Sequence, residues 1–259
     1  MSKLEYSFEV HGRPEVEVSI PSGDVSVHEV EGEAIDVVVS GRERDLAEIE
    51  VDQIGNRVTI QWRSSGRRRF SRRADVSIGM PPRGHAMLKT ASGDVKVEVP
   101  MASVDVRVAS GDVRVGPVTG SVRVKSASGD VRVDSAGEAQ ISTASGDIRV
   151  ESIEDDLTAK TASGNIHVGV VGGDVTMKSA AGDLTIGRVD GDSVTATTVS
   201  GNVRLGLPPG LKVEANLRAL SGTIRNELPE GSGEVRKHVR LAAKALSGDI
   251  VLRAADSVS

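Results

Sequence analysis

The sequence predicts an all-β fold, a single-stranded β-solenoid (β-helix-like) with about 18 residues per coil, each coil made of two roughly nine-residue turn-plus-strand half-units. Three observations predict it. The tripeptide Ser-Gly-Asp or a near variant recurs with its glycine at Gly93, Gly111, Gly129, Gly146, Gly164, Gly182, Gly201, Gly222 and Gly248, in steps of 18, 18, 17, 18, 18, 19, 21 and 26 residues. An isolated early copy lies at Gly23. Between the turns, apolar residues alternate with polar ones: Val122/Val124, Val131/Val133, Ile148/Val150, Ile166/Val168, Leu184/Ile186 and Val203/Leu205. Period two puts them on one face of a strand. Finally, 39 valines and 29 glycines in 259 residues, against two Phe, one Tyr and one Trp, suit a narrow interior with frequent turns.

The first strand residues at 113, 122, 131, 139, 148, 157, 166, 175, 184, 194 and 203 fall eight to ten residues apart, so each repeat is two half-units. A strand this short buries too little alone, and stacking it on copies of itself makes a continuous core. A chain of antiparallel hairpins forming a sandwich also gives short alternating strands, but has no need of an identical turn each time. Residues 89–205 are read as the regular repeats.

Residues 1–88 read as a degenerate β region capping the solenoid, with strands at Leu4–Val10, Val16–Ile20, Val25–Val30, Ala34–Val39, Ile49–Val51, Val58–Trp62 and Val76–Ile78. All four aromatics (Tyr6, Phe8, Trp62 and Phe70) lie there and are expected to plug the open end of the core. Residues 206–259 read as irregular coils of the same solenoid, with long turns at Pro208-Pro209-Gly210 and Pro229–Gly233. Val235–Leu246 fits either helical or strand spacing, and the following Ser-Gly-Asp favours strand.

Composition removes several function classes. Without cysteine there are no disulfides, thiolate metal sites or cysteine nucleophile. A formal charge of -5 argues against nucleic acid as a partner, and the few aromatics argue against a stacking platform. No apolar stretch reaches the length of a membrane span, and the acidic first ten residues do not resemble a signal peptide. The expectation is a cytoplasmic protein, or a secreted one if a signal has been removed.

Glycine at each turn supplies a positive φ, and the Asp or Asn after it is expected to hydrogen-bond its own turn. This structural turn ladder comprises Gly93, Asp94, Gly111, Asp112, Gly129, Asp130, Gly146, Asp147, Gly164, Asn165, Gly182, Asp183, Gly201 and Asn202. Stacked at strand spacing, its aspartates fall roughly 5 Å apart, and calcium between them is the functional alternative. The column is broken by Asn165, Asn202 and Thr223, and the Gly-Gly-x-Gly-x-Asp calcium motif is absent, so no metal site is assigned. Arg107, Arg114, Arg123, Arg132, Arg149, Lys160 and Lys178 read as a solvated face, or as a flat surface for a glycan or acidic polymer. Arg63, Arg67, Arg68, Arg69, Arg72 and Arg73 form a dense basic loop, read as a solvated loop or as a candidate anion-binding site. The histidines (His11, His28, His85, His167 and His238) have no ligand spacing and read as surface or turn residues. No catalytic set and no cofactor site is assigned.

The run of Ser-Gly-Asp-[Val/Ile]-x-[Val/Ile] units at 92–97, 110–115, 128–133, 145–150, 163–168 and 247–252, with 181–186 and 200–205 keeping most of it, resembles the bacterial DUF4097 family, whose members carry an adhesin label. The resemblance extends over nearly the whole chain and implies a β-solenoid-like fold. The reading is a non-enzymatic binding or scaffolding module, adhesin-like, with a protein or glycan partner. A carbohydrate-acting enzyme on a β-helix surface and a self-assembling structural protein are the alternatives, the latter as a homo-oligomer through end coils.

Overall fold

The computed structural model describes residues 2–63, 72–209, 211–228 and 237–255. Its contacts divide the chain into two compact units, Met1–Gly129 and Asp130–Ser259, and both are all-β apart from one helical turn.

The first unit runs β1 (Ser2–Glu9), β2 (Glu15–Ser22), β3 (Val25–Glu29), β4 (Ala34–Gly41), α1 (Glu43–Leu46), β5 (Ile49–Ile54), β6 (Arg57–Trp62), β7 (Ala74–Met80), β8 (His85–Ser92), β9 (Val95–Val97), β10 (Ser103–Ser110) and β11 (Val113–Ser128). Two parallel ladders organise it. One is β6–β2–β8–β10 followed by the second half of β11. The other is β7–β3–β9 followed by the first half of β11. In every regular repeat a Ser-Gly-Asp turn carries the chain from one ladder to the other, and the pair of strands so joined forms one level. Strand alternation points Val16, Val18, Leu88, Val104, Val106, Val122 and Val124 inward, where each is buried, and leaves the charged residues between them outside.

Level order departs from sequence order. The β2–β3 level lies between β6–β7 and β8–β9. The early Ser-Gly-Asp copy is therefore an interior level: Gly23 N–H donates to Ser92 O at 2.8 Å. Among the described residues, antiparallel pairing is confined to β1–β4, β4–β7 and β5–β6. The two-residue turn Gly55-Asn56, with φ 61° at Gly55, closes the β5–β6 hairpin. The repeats themselves pair in parallel, which a chain of hairpins does not produce.

The aromatic plug takes a different form from the one expected. Tyr6 and Phe8 are half-buried on β1, their rings stacked with centroids 6.0 Å apart. Register sets Leu4, Tyr6 and Phe8 opposite Val39, Val37 and Ile35, which are fully buried. The rings thus extend an inner apolar row along an outer strand, and the core itself is filled by Ile60, Ile78, Met80 and Leu88. Trp62 is half-buried, and Phe70 lies outside the described residues.

The second unit runs β12 (Val131–Ser142), β13 (Ile148–Ile153), β14 (Leu157–Lys160), β15 (Ile166–Val171), β16 (Val175–Ala181), β17 (Leu184–Val189), β18 (Ser193–Ser200), β19 (Val203–Leu207), β20 (Leu211–Ser221), β21 (Ile224–Glu227), β22 (Lys237–Ser247) and β23 (Ile250–Ala254). From Lys237 onward, the segment that fits both helix and strand spacing is strand β22, and 235–236 lie outside the described residues. The ladders are β12–β13–β15–β17–β19–β23–β21 and β12–β14–β16–β18–β22–β20, all parallel. Ile148 faces Ile166, and Ile166 faces Leu184. Here too the chain doubles back. The β22–β23 level is inserted between β18–β19 and β20–β21, so Val203 faces Ile250 and Ile250 faces Ile224. The irregular steps at Gly222 and Gly248 arise from this insertion.

Close stacking makes glycine obligatory at the turn. Gly93 and Gly248 have φ of 143° and 137°, and a Cβ on either would collide with the carbonyl oxygen of the glycine one level below, Gly23 and Gly201 respectively. Gly32 has φ 106°, but the space a Cβ would take there is open, with nothing within 4 Å. Gly32→Ala should therefore cost only the backbone strain, about 1–3 kcal/mol, and Gly248→Ala more than about 4 kcal/mol. Equilibrium denaturation measures both. Equal losses would mean that strain alone, and not the approach of two levels, sets the demand for glycine.

Candidate functional site

The turn residues form a hydrogen-bond ladder between levels, and this corrects the expectation that each Asp caps its own turn. In the first unit Asp24 N–H donates to Asp75 Oδ1 (3.0 Å), Asp94 N–H to Asp24 Oδ1 (3.0 Å) and Asp112 N–H to Asp94 Oδ1 (2.9 Å). In the second, Asp147 donates to Asp130, Asn165 to Asp147, Asp183 to Asn165 and Asn202 to Asp183, over 2.7–2.9 Å. The ladder continues through Asp249 N–H to Asn202 Oδ1 (2.9 Å) and Thr223 N–H to Asp249 Oδ1 (2.8 Å). A shorter ladder of the same kind links Asp156, Asp174 and Asp192.

Repulsion along this column is relieved by the protein itself. Asn165 and Asn202 interrupt the charges, and Arg204 reaches Asp183 at 2.9 Å. In the first unit Arg73 pairs with Asp24 (3.0 Å) and Asp75 (3.3 Å). Burial alone would raise the Asp183 carboxyl, but the Asn202 N–H, the Arg204 and Asn202 side-chain donors and the Arg204 charge together hold it below its ordinary value of 3.8. Among the described residues, no group of three or more His, Asp or Glu has a geometry that could hold a metal ion.

The outer face of the first unit offers a different constellation. Parallel register lines up Glu15, His85 and Ser103 on β2, β8 and β10, and beside them Glu17, Met87 and Asp105. These residues, with Arg57, Ser121 and Arg123, line a surface depression of about 410 Å³. His85 is half-buried and its Nδ1 lies 2.5 Å from Ser103 Oγ, so it is not a lone surface residue. Its Nε2 lies 3.5 Å from Arg13 Nη1. The two ring nitrogens thus face a hydroxyl and a guanidinium. The carboxylates are likewise engaged: Glu15 with Arg57 (2.8 Å), Glu17 with Lys89 (3.5 Å), and Asp105 with Arg107 (3.3 Å) and Arg123 (3.9 Å).

The sequence held a signal for this cluster that the turn motif overshadowed. Ser103 lies one regular repeat beyond His85, and Glu15 precedes His85 by the interval that separates Gly23 from Gly93. Aligning the early copy with the first regular one would have placed all three residues in a row.

The basic loop is only partly described. Arg67, Arg68 and Arg69 lie outside the described residues. At its two ends, Arg63 pairs with Glu50 at 2.6 Å, which raises the guanidinium further, and Arg73 joins the turn ladder. The Arg72 guanidinium lies over the Trp62 ring, 5.9 Å from its centroid. No helix among the described residues is long and apolar enough to cross a membrane.

Parallel ladders, Gly-Asp turns and a strand-repeat core define an all-β strand-repeat protein. The Toastrack DUF4097 family model matches residues 14–232 and again 151–258, and the chain belongs to that family. A crystal structure from Bacteroides fragilis, described as a "putative adhesin", matches with a TM-score of 0.51 at 15% identity over 97% of each chain, a likeness of fold. A second, from Parabacteroides distasonis and described in the same words, matches with a TM-score of 0.47 at 13% identity, over 96% of this chain and 97% of the other. No curated protein matches the chain.

Because folding lowers the Asp183 carboxyl, the unfolded chain binds this proton first on acidification. The stability it contributes is present above 3.8 and is lost as pH falls through the depressed value. Asp183→Asn keeps an acceptor for Asn202 N–H without the charge. Its melting temperature should fall less than that of the unsubstituted chain between neutral pH and pH about 2. Thermal melts across that range check it, and parallel curves would remove Asp183 from the acid response.

Proposed function

We propose that the chain is a β-solenoid of about 18 residues per coil, in two half-units of roughly nine, that acts as a non-enzymatic, adhesin-like binding or scaffolding module. The registers Val104 to Val122, Ile148 to Ile166 and Leu157 to Val175 support the coil length. One observation carries the functional reading. The outer face of the first unit is a grid of polar side chains aligned across parallel strands, and its carboxylates in the depression are already neutralised by arginine or lysine. Such a face suits many moderate contacts to a polar polymer or protein surface. It does not favour a single activated group. The ligand class is a glycan or protein bearing carboxylates or hydroxyls, bound along the rows Arg57–Glu15–His85–Ser103 and Glu17–Met87–Asp105–Arg123.

The test is binding of the full chain to a panel of acidic and neutral polysaccharides and peptides by biolayer interferometry. Arg57 and Arg123 changed together to Ala should weaken binding about tenfold or more, from the loss of charge-assisted hydrogen bonds. The length of a bound glycan should stay constant on long incubation, and shortening would favour the glycan-cleaving enzyme instead. Unchanged affinity in the double variant would remove this face from binding.

A further inference from the structure

We propose that the last level of the second unit is an interface between two copies of this chain. They pair edge to edge, β20 antiparallel to β20, about a two-fold axis at Asn216. Within the chain β20 hydrogen-bonds only to β22, so among the described residues its other edge meets no strand. That leaves a row of N–H and C=O groups along an eleven-residue strand. Native edges of this length are usually blunted by proline, a bulge or a run of charge. Residues 211–221 contain no proline and pair with β22 without a break in register.

Apolar surface collects at the same place. On β22 the inward row Val239, Leu241, Ala243 and Ala245 is at most 2% exposed. One level out, the equivalent Val213, Leu217 and Ala219 on β20 are only half-buried and Ala215 is exposed. Six large apolar side chains are exposed among the described residues, and four of them, Val199 (48%), Leu220 (84%), Ile224 (43%) and Leu246 (52%), lie on β18, β20, β21 and β22. Val199, Leu246 and Leu220 fall in one row across β18, β22 and β20, so the exposed apolar surface runs up to the β20 edge.

The occupant follows from the pattern of β20 itself. The centre of its outward row reads Glu214, Asn216, Arg218, which is self-complementary, and the flanking Lys212 and Leu220 fall opposite each other. Antiparallel pairing at Asn216 sets Glu214 of each copy opposite Arg218 of the other, Val213 opposite Ala219, and Ala215 opposite Leu217. Apolar residues meet on the inner side and charges on the outer, with no mismatch among these pairs. Within the chain Arg218 has Lys244 opposite it on β22, an adjacent pair of like charges, and makes no ion pair with the described residues. The partner copy's carboxylate would answer both cations. An isologous contact of this kind consumes the same edge in both copies and therefore stops at two.

Sedimentation equilibrium of the full chain tests it, with a dimer expected in the micromolar range. Arg218→Glu should weaken that dimer more than about 100-fold, because each copy then meets like charge twice. It should leave thermal stability at high dilution intact, since the new carboxylate faces Lys244 in its own chain. Glu214→Arg combined with Arg218→Glu should restore the dimer. The chain has no cysteine, so Asn216→Cys should give a disulfide-linked dimer on mild oxidation and nothing larger. A monomer throughout that range, a dimer indifferent to Arg218→Glu, or failure of Asn216→Cys to cross-link would overturn the proposal and leave the edge to a different chain.

Discussion

A single hydrogen bond sets the geometry of the levels: the backbone N–H of each turn residue donating to the Asp or Asn Oδ1 one level below. That N–H belongs to no strand pairing, and in a stacked fold it would otherwise be caught between two turns with a poor partner. Supplying the acceptor from the neighbouring level satisfies it and pins the register of both ladders at once, because Oδ1 receives the N–H of the equivalent residue on the next level. The glycine before it must turn with positive φ while lying directly against another glycine, which excludes a side chain at that spot. The poverty of aromatics follows from the same stacking. Inner rows of Val, Ile and Leu repeat at strand spacing, and a ring would have to fit the same slot on every level.

Repetition made much of this legible. Alternation of Val131/Val133 and Ile148/Val150 located the strands and their buried faces, and glycine recurrence located the turns. What a period cannot carry is spatial order. Gly23 reads as isolated because its neighbour is Gly93, and Gly248 reads as the last turn although it lies between Gly201 and Gly222. The role of Asp94 or Asp183 was half legible: the residue type announces a turn acceptor, but whether it serves its own turn or the next level depends on how closely levels stack. His85 illustrates the same boundary. Alone it has no ligand spacing, and only the register brings Glu15 and Ser103 to its sides.

The outer face follows from the ladder as well. In-register stacking sets each exposed residue beside its counterpart on the next strand, so the outer face is organised in rows, some of like charge such as Lys89, Arg107 and Lys125. Thr158, Thr176 and Thr195 align in one such row, and Glu15 with Arg57 in another. Rows of this kind present side chains at a constant spacing across the strands. The turn ladder constrains glycine and Asp or Asn and leaves the alternate strand positions open.

The inserted levels have a consequence for how each unit comes apart. In a repeat array wound in sequence order, terminal repeats can fray one at a time, and stability is a sum of nearest-neighbour terms. Here Asp94 bonds to Asp24 across 70 residues of chain, and Asp249 to Asn202 across 47. The β2–β3 and β22–β23 levels are therefore held on both sides by segments distant in sequence. Neither can leave without first detaching a neighbour. Each acts as a latch that joins local repeats into one cooperative block, at the expense of slow closure of a long loop during folding. A nick or truncation that removed 237–255 would extract an interior layer and strand β20–β21 without a template, so damage near the end of this chain propagates inward.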